Sequence, residues 1–546
     1  MASVLRAAGR GAGAVTAATC TCAAGLYVAD RDAFDTAQRF RRTAALSAWM
    51  LADYSWHLRL HPPDSTTRED ALEDCHRRNA PLLRNLCFQN GGIYIKIGQL
   101  LGIMDNLLPK AYVEELQACF DACPRSTSAD VERVILEDLG KRPLELFETF
   151  EQEPVASASL AQVHRATLPG GKQLAVKVQH RPLLRLARTE MAGIDLVLRC
   201  VRLIEPRFGF QWLAEEVRES LPKELDFRLE AQNAARCRKV MAAAGLSSAV
   251  VVPETHAPLS STRVLVMDFE EGQSLASNAA AMRAEGVQPH SVVRRFSEAY
   301  AEMAFGEGFL HCDPHPGNVL WRRSQDAPGG FQLVLLDHGL YREIPRDLRL
   351  AYCELWRAIA LGDGDAAVMA TRKLGVRSTW LAEKIAAERA SGGEGHLASG
   401  EGAPTNEDAE VLAGKMLTSM LSGRSFRAVA DGRGGLMRFD RDFRGKSADD
   451  DRAEIGGYVV GYFNGILDVL DTLPRAMILL LKANDCLRAT ASRLDVPTSV
   501  PLAVSCSACC RALRRAGDKW QWSTWWLSVR CWLFLRLEGS MWSRLL

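Results

Sequence analysis

The stretch His311-Cys312-Asp313-Pro314-His315-Pro316-Gly317-Asn318 constrains this chain most, together with Asp337-His338-Gly339 nineteen residues beyond Asn318. An Asp followed five residues later by an Asn, then a second Asp before a Gly, is the spacing of a phosphoryl-transfer site. In such a site one carboxylate takes the acceptor's proton, while the Asn and the second carboxylate hold Mg²⁺ on the phosphates. Between the two motifs lie two strand patterns, VLWRR and FQLVLLD, joined by the turn residues Asp326-Ala327-Pro328-Gly329-Gly330. Two carboxylates, one at each end of this hairpin region, can thus meet in one cleft. Of the two histidines, His311 reads as a buried hydrogen-bonding strut rather than a base. His315 is ambiguous, and HxDxH invites a metal reading that lacks further ligands.

Upstream residues supply matching parts. Val155-Ala156-Ser157-Ala158-Ser159-Leu160-Ala161-Gln162-Val163 reads as strand, tight loop, strand, followed by His164. Small side chains let backbone N–H groups approach phosphates, as glycines do, although alanine makes the loop stiffer. The turn Pro169-Gly170-Gly171 leads to the strand QLAVKVQ, which carries Lys177 among apolar neighbours. Loop, turn and lysine-bearing strand match a nucleotide site whose lysine pairs the α/β-phosphates and needs an orienting carboxylate. Glu224, Asp226 and Glu230, read on one helix with Asn233 a turn later, are the candidates, against a solvated acidic face. RVLVMDFEEG (263–272) reads as an apolar strand, and a helix over 291–309 delivers the chain into His311.

At 546 residues the chain has room for roughly two to four domains. A net charge of +1 gives no whole-chain field for nucleic acid. The 15 cysteines lack zinc-like spacing, so Cys119-x3-Cys123 and Cys506-x2-Cys509-Cys510 read as buried reduced thiols. The first 29 residues carry Arg6 and Arg10 and no acid, which is the composition of a mitochondrial transit peptide. Residues 11–29, uncharged and dominated by Ala, Gly and Thr, are a marginal candidate for a membrane span. Residues 34–90 read as helical, with a break at His61-Pro62-Pro63-Asp64-Ser65. In GGIYIKIGQLLGIMDNLLP (91–109) a lone lysine, Lys96, sits in an apolar run, where it must either snorkel at a helix edge or find a partner. DVERVILEDLGKRPLELFETF (130–150) reads as an amphipathic helix ended by Gly140 and a short second one. Residues 341–380 read as helical, 389–408 as a flexible insertion, and 431–457 as a second polar stretch. Six of the 12 tryptophans crowd residues 520–542, which suits a membrane interface or a helix packed on the domain.

Four motifs in order, KIGQ (96–99), SASLAQVH (157–164), ELDFRLEAQN (224–233) and HCDPHPGN (311–318), resemble the ABC1/UbiB atypical kinases, also called aarF-domain-containing kinases. The likeness covers roughly residues 80–360, and the wording looks most like that family's mitochondrial kinase 1 branch. The kinase 5 branch also has DHG and stays open. The resemblance implies an α+β, bilobal protein-kinase-like fold with a helical N-terminal extension over the cleft and extra C-terminal helices. The domains expected are a targeting segment or anchor (1–30), the extension (31–150), an N-lobe (151–270) and a C-lobe (271–385). A flexible insertion (386–410), C-terminal helices (411–505) and a Trp/Arg-rich tail (506–546) complete the chain.

By that resemblance Asp313 is the catalytic-base position and Asn318 and Asp337 hold Mg²⁺. Residues 155–163 and Lys177 bind ATP, Glu224 or Glu230 orients Lys177, and Lys96 and Gln99 belong to an autoinhibitory KxGQ segment. Glu224 or Asp226 is the partner it offers Lys96. His338 in place of Phe puts the usual Phe-based switch in doubt. The implied function is an Mg-ATP-dependent kinase or ATPase in mitochondrial lipid, quinone or inner-membrane homeostasis, with nucleotide, membrane lipid and mitochondrial proteins as partners and no nucleic acid. The alternatives are a kinase-fold scaffold and a small-molecule phosphotransferase, and the KIGQ segment and alanine-rich loop weigh against the latter.

Overall fold

The structure is a computed structural model that describes residues 31–61, 67–102, 108–121, 123, 125–181, 190, 191, 194, 211–276, 279–378, 381–383, 406–422, 469, 472–517, 524–531 and 535. The expected targeting segment, most of the flexible insertion and the polar stretch 431–457 lie outside these residues. The chain divides into two compact units, Met1–Leu225 and Asp226–Leu546.

The first unit opens with two long helices, α1 (Arg31–Leu60) and α2 (Arg68–Asn90), separated where the prolines predict a break. The KIGQ helix, α3 (Ile93–Gly102), follows, then α4 (Lys110–Leu116) and α5 (Ala118–Asp121). Tyr94, Ile95, Leu116, Cys87 and Cys119 form the core among these helices. Gly98 is required there, because a Cβ would lie 2.7 Å from Cys119 Sγ and 3.3 Å from Cys87 Sγ. Between α1 and α2, Asp53, His57 and Cys75 converge with metal-ligand chemistry. Arg78 already occupies that spot, with Nη2 3.2 Å from Asp53 Oδ1, 3.1 Å from His57 Nε2 and 3.3 Å from Cys75 Sγ. A guanidinium is the cation of this cluster.

Thr127 caps α6 (Ser128–Leu139), its hydroxyl accepting from Asp130 N–H, and the helix stops at Gly140 as predicted. After α7 (Pro143–Leu146) come β1 (Thr149–Phe150), β2 (Ala156–Ser157), β3 (Ala161–Thr167) and β4 (Gln173–Gln179). β3 pairs antiparallel with β1, β2 and β4. Helix α8 (Gln211–Glu224) ends the unit.

The single acidic helix expected over 224–233 is two helices. Asp226 leaves helical geometry, and its side chain accepts from Arg228 N–H as the N-cap of α9 (Phe227–Ala243). Arg228 also holds the Asp226 carboxyl below its usual pKa. Glu224 therefore closes one helix while Glu230 lies in the first turn of the next.

The second unit continues with β5 (Val250–Val251), β6 (Val264–Asp268), β7 (Gln273–Ser274), α10 (Ala279–Ala284) and α11 (Pro289–Ala301). The helix expected to run to residue 309 passes into a π-helical turn at Glu302–Glu307. It then gives way to β8 (Phe309–His311). The strand wins because its backbone groups pair with β11 (Tyr341–Glu343), inside the stretch read as all helical. β9 (Val319–Arg323) and β10 (Phe331–Leu335) form the predicted hairpin, extended to the order β5-β10-β9-β7.

Among the described residues the helices α12 (Arg346–Leu361), α13 (Gly364–Lys373), α14 (Asn406–Ser422), α15 (Arg475–Arg493) and α16 (Ser499–Arg515) follow. α16 packs against α11 and α12 and is buried on most sides, as its run of small residues, SVPLAVSCSACC, permits. Its thiols are core, and burial pushes the Cys509 thiol well up. No described cysteine is part of a disulfide, and all but Cys123 and Cys486 are buried. In the tail, Leu527 and Cys531 are buried while Trp526 stays 53% exposed, so a packed face and an outward tryptophan coexist. Among the described residues no helix is long and apolar enough to cross a membrane.

Candidate active site

Two short ladders build the second unit's loops. β8 places His311 opposite Tyr341, and the hairpin places Val319 opposite Leu335. The chain between them, 312–318 and 336–340, must therefore run side by side. Cys312 N–H donates to the Leu340 carbonyl and Leu336 N–H to the Asn318 carbonyl, both at 3.0 Å. His311 completes the stitching: Nε2–H donates to the Asp337 carbonyl at 2.7 Å, and Nδ1 accepts from Asp313 N–H at 3.0 Å. A carbonyl only accepts and an amide N–H only donates, so these partners fix the Nε2–H tautomer of a neutral ring. Burial acts the same way, holding His311 below its usual pKa. His311 is a strut joining the Asp313 loop to the Asp337 loop.

Asp337 is half-buried, and its Oδ1 accepts from Gly339 N–H at 2.8 Å. A Cβ on Gly339 would sit 3.2 Å from that oxygen, so glycine keeps the turn closed. Asn318 is also half-buried and lies at the same end of the hairpin. An amide oxygen and a carboxylate are the hard donors Mg²⁺ takes alongside phosphate oxygens and water, so the residues fit that ion. His315 Nδ1 accepts from Gly317 N–H at 3.2 Å, which gives this ring a loop-closing role.

Helix α9 holds the DHG segment. Asn233 Nδ2–H donates to the His338 carbonyl at 3.0 Å, and Glu230 Oε1 lies 3.5 Å from His338 N. The second contact is weak at that length. His338 itself is 2% exposed, with Nε2–H donating to the Leu335 carbonyl at 3.0 Å and Nδ1 2.9 Å from Tyr341 Oη. Phenylalanine in its place would leave that carbonyl and hydroxyl buried without this partner. His338→Phe is expected to cost about 2–4 kcal/mol of stability, read as a lowered thermal midpoint. An unchanged midpoint would show that neither bond matters.

In the first unit, Lys96 Nζ lies 2.8 Å from Glu224 Oε2, with the two side chains 24% and 7% exposed. The lone lysine in the apolar run is paired, and Glu224 rather than Asp226 is its partner. Gln99 Nε2–H donates to the Cys119 carbonyl at 3.0 Å. Ile93, Ile97 and Leu100 of α3 pack with Leu160 of the alanine-rich loop and with Val217, Leu221 and Leu225. The KIGQ helix is thus docked on that loop by apolar burial and tied to α8 by charge.

Within the loop, Ala158 N–H donates to the Ala161 carbonyl at 2.8 Å, closing the predicted turn. Val155, Ala156 and Ala158 are exposed, Ser157 and Val163 half-buried, and Ser159, Leu160, Ala161 and Gln162 buried. Gln162 Nε2 is 3.0 Å from His164 Nε2, and His164 Nδ1–H donates to the Glu151 carbonyl at 2.8 Å. Their side chains brace the hairpin. Lys177 is half-buried on β4, opposite Val163.

A lysine not singled out from the sequence completes the second unit's site. Lys482 Nζ lies 3.0 Å from Asp313 Oδ1, with the two side chains 20% and 31% exposed.

The family pattern described as the ABC1 atypical kinase-like domain matches residues 118–371. AarF domain-containing protein kinase 1 of Gallus gallus is 35% identical over 472 residues, 86% of this chain and 82% of that protein. This chain belongs to the ABC1 atypical kinase-like family. The protein of the same description from Mus musculus is 33% identical over 496 residues, 90% of this chain and 85% of its own length. Among solved structures, the Rv3197–erythromycin complex from Mycobacterium tuberculosis aligns at 21% identity and a TM-score of 0.40, covering 76% of this chain and 97% of that one. The Rio2 kinase–ADP/Mg²⁺–phosphoaspartate complex from Chaetomium thermophilum aligns at 14% identity and a TM-score of 0.22, covering 67% of this chain and 95% of that one.

The ABC1 kinase-like chain has the α+β composition expected of it. Lys482 was detectable by the signal that marked Lys96, a single charge in an apolar run, here Leu479-Leu480-Leu481-Lys482-Ala483. Its partner, 169 residues away in sequence, was not.

Proposed function

We propose that this ABC1 kinase-like protein binds Mg-ATP and transfers or hydrolyses its γ-phosphoryl group, acting on a mitochondrial membrane in lipid or quinone homeostasis. The observation that carries the reading is the stitching of the Asp313 and Asp337 loops through His311. It ties Asp313 to the segment that carries Asp337, which supports reading them as base and metal ligand.

Asp313 takes the proton of the attacking water or hydroxyl. Asn318 and Asp337 would hold the metal, which would supply positive charge to the phosphates. Lys177 and the exposed backbone of residues 155–158 bind the phosphates. Glu224 is paired with Lys96, and Asp226 caps its own helix. The docking of α3 on the alanine-rich loop supports slow turnover. Exposed Trp49, Trp56 and Trp526 support a membrane surface as the working environment.

The test is phosphate release by the purified full chain with and without inner-membrane-like liposomes. Turnover that rises on liposomes is expected. Mg-ATP binding without turnover under either condition would instead favour a kinase-fold scaffold.

A further inference from the structure

We propose that Lys482 is a positioning residue for phosphoryl transfer, delivered to Asp313 by a C-terminal helix and placing a fixed positive charge beside the transferring group. The proposal rests on the reading of Asp313 as the base.

From Asp313 to Asn318 the loop reads Asp-Pro-His-Pro-Gly-Asn and contains neither Lys nor Arg. Phosphoryl transfer spreads negative charge over the equatorial oxygens, so a base carboxylate without a nearby cation would repel the group it must serve. Lys482 meets that need at 3.0 Å from Asp313 Oδ1.

The lysine is held in place by its helix. Asn484 Nδ2–H donates to the Leu421 carbonyl at 2.8 Å, and Arg488 reaches the Leu421 and Met420 carbonyls at 3.4 and 3.3 Å. These contacts lock α15 onto the C-terminal end of α14, where free carbonyls await donors. Leu479, Leu480, Leu481 and Ala483 are buried around Lys482, so its ammonium is aimed by packing rather than free to wander. An ammonium in an apolar helix is costly unless it is paired, and here its partner is the acid read as the base.

In the step itself, the acceptor oxygen bonds to the γ-phosphorus and the bond from phosphorus to the β-bridging oxygen breaks. That electron pair leaves with ADP, and the acceptor's proton passes to Asp313. Lys482 keeps its own proton throughout. It holds the carboxylate in place and offsets charge on the phosphoryl oxygens.

The test compares Lys482→Met, Lys482→Arg, Asp313→Asn and the Met/Asn double variant in the full chain. Two readouts serve: steady-state ATP turnover, and affinity for Mg-ADP with and without aluminium fluoride, a transition-state mimic. Lys482→Met should lose about 10²–10³ in kcat with KM for ATP within about threefold, as for loss of one oriented charge at a transition state. It should bind Mg-ADP like wild type yet lose the extra affinity that aluminium fluoride confers. Lys482→Arg should recover at least about a tenth of wild-type kcat, and the double variant should be no worse than Asp313→Asn.

An inactive Asp313→Asn beside a Lys482→Met of wild-type rate and fluoride affinity would overturn the proposal alone. An Asp313→Asn of wild-type rate would overturn the reading beneath it. A faster Lys482→Met would make the pair a brake and also overturn the proposal. If Lys482→Met does not fold, Lys482→Gln takes its place, and equal losses of Mg-ADP and fluoride-complex affinity would reduce the lysine to a structural role.

Discussion

Asp313→Asn should lower ATP turnover by about 10²–10⁴-fold, the usual contribution of a positioned general base. The asparagine has the same shape and keeps the backbone N–H that His311 accepts, so the loop stays stitched. What it loses is the basic carboxylate proposed to take the acceptor's proton and the charge that faces Lys482. Nucleotide affinity should stay within about threefold, because the proposed metal donors are Asn318 and Asp337 and the proposed base acts in the transition state. Phosphate release and equilibrium binding on the same preparation separate the two effects. Turnover equal to wild type would remove Asp313 from the chemistry.

Lys96→Ala should act on stability and on nucleotide access in opposite directions. Removing the ammonium leaves the Glu224 carboxylate, 7% exposed, without its cation. Breaking a buried pair from one side costs roughly 3–5 kcal/mol, and the partial exposure of Lys96 argues for about 3. The apolar contacts of Ile93, Ile97 and Leu100 with Leu160 remain, so α3 loosens rather than leaves. A loss of about 2 kcal/mol in docking alone shifts its closed-to-open ratio about 30-fold. The variant should therefore melt earlier and take up Mg-ATP faster in stopped-flow measurements. Glu224→Gln should melt less early, since a neutral amide still accepts from Lys96 without leaving a bare buried charge. Equal uptake rates in wild type and Lys96→Ala would mean that α3 does not gate the loop.

How much of this was legible in the sequence depended on whether the signal was local. The octapeptide, the DHG turn and the hairpin between them are consecutive, and turn residues with alternating strands predict their arrangement. The KIGQ lysine announced itself by its cost, and its pairing followed. The break at Asp226 is also local, an N-cap before Phe227, but Asp226 and Glu230 stand four residues apart, a spacing equally at home on one helix face. β8 and β11 were missed because each is three residues long and exists through a partner some 30 residues away. A short apolar run does not declare whether it is a helix end or a strand. The pairing of Lys482 with Asp313 lay furthest out of reach, since no pattern within α15 points to a loop 169 residues earlier. Leu160 and Gln162, grouped with the nucleotide loop by sequence, are buried instead, Leu160 by apolar packing against Ile97 and Leu100 and Gln162 by its hydrogen bonds to Ser126 and His164.

The most direct measurement is a calorimetric titration of Mg-ATP into the purified full chain, wild type against Asp337→Asn. Saturable binding that needs Mg²⁺ and weakens at least about 100-fold in the variant is the predicted result, since the asparagine keeps the turn but offers the metal no charge. A wild-type chain that binds no nucleotide with Mg²⁺ present, or an Asp337→Asn chain that binds it equally well, would contradict the account.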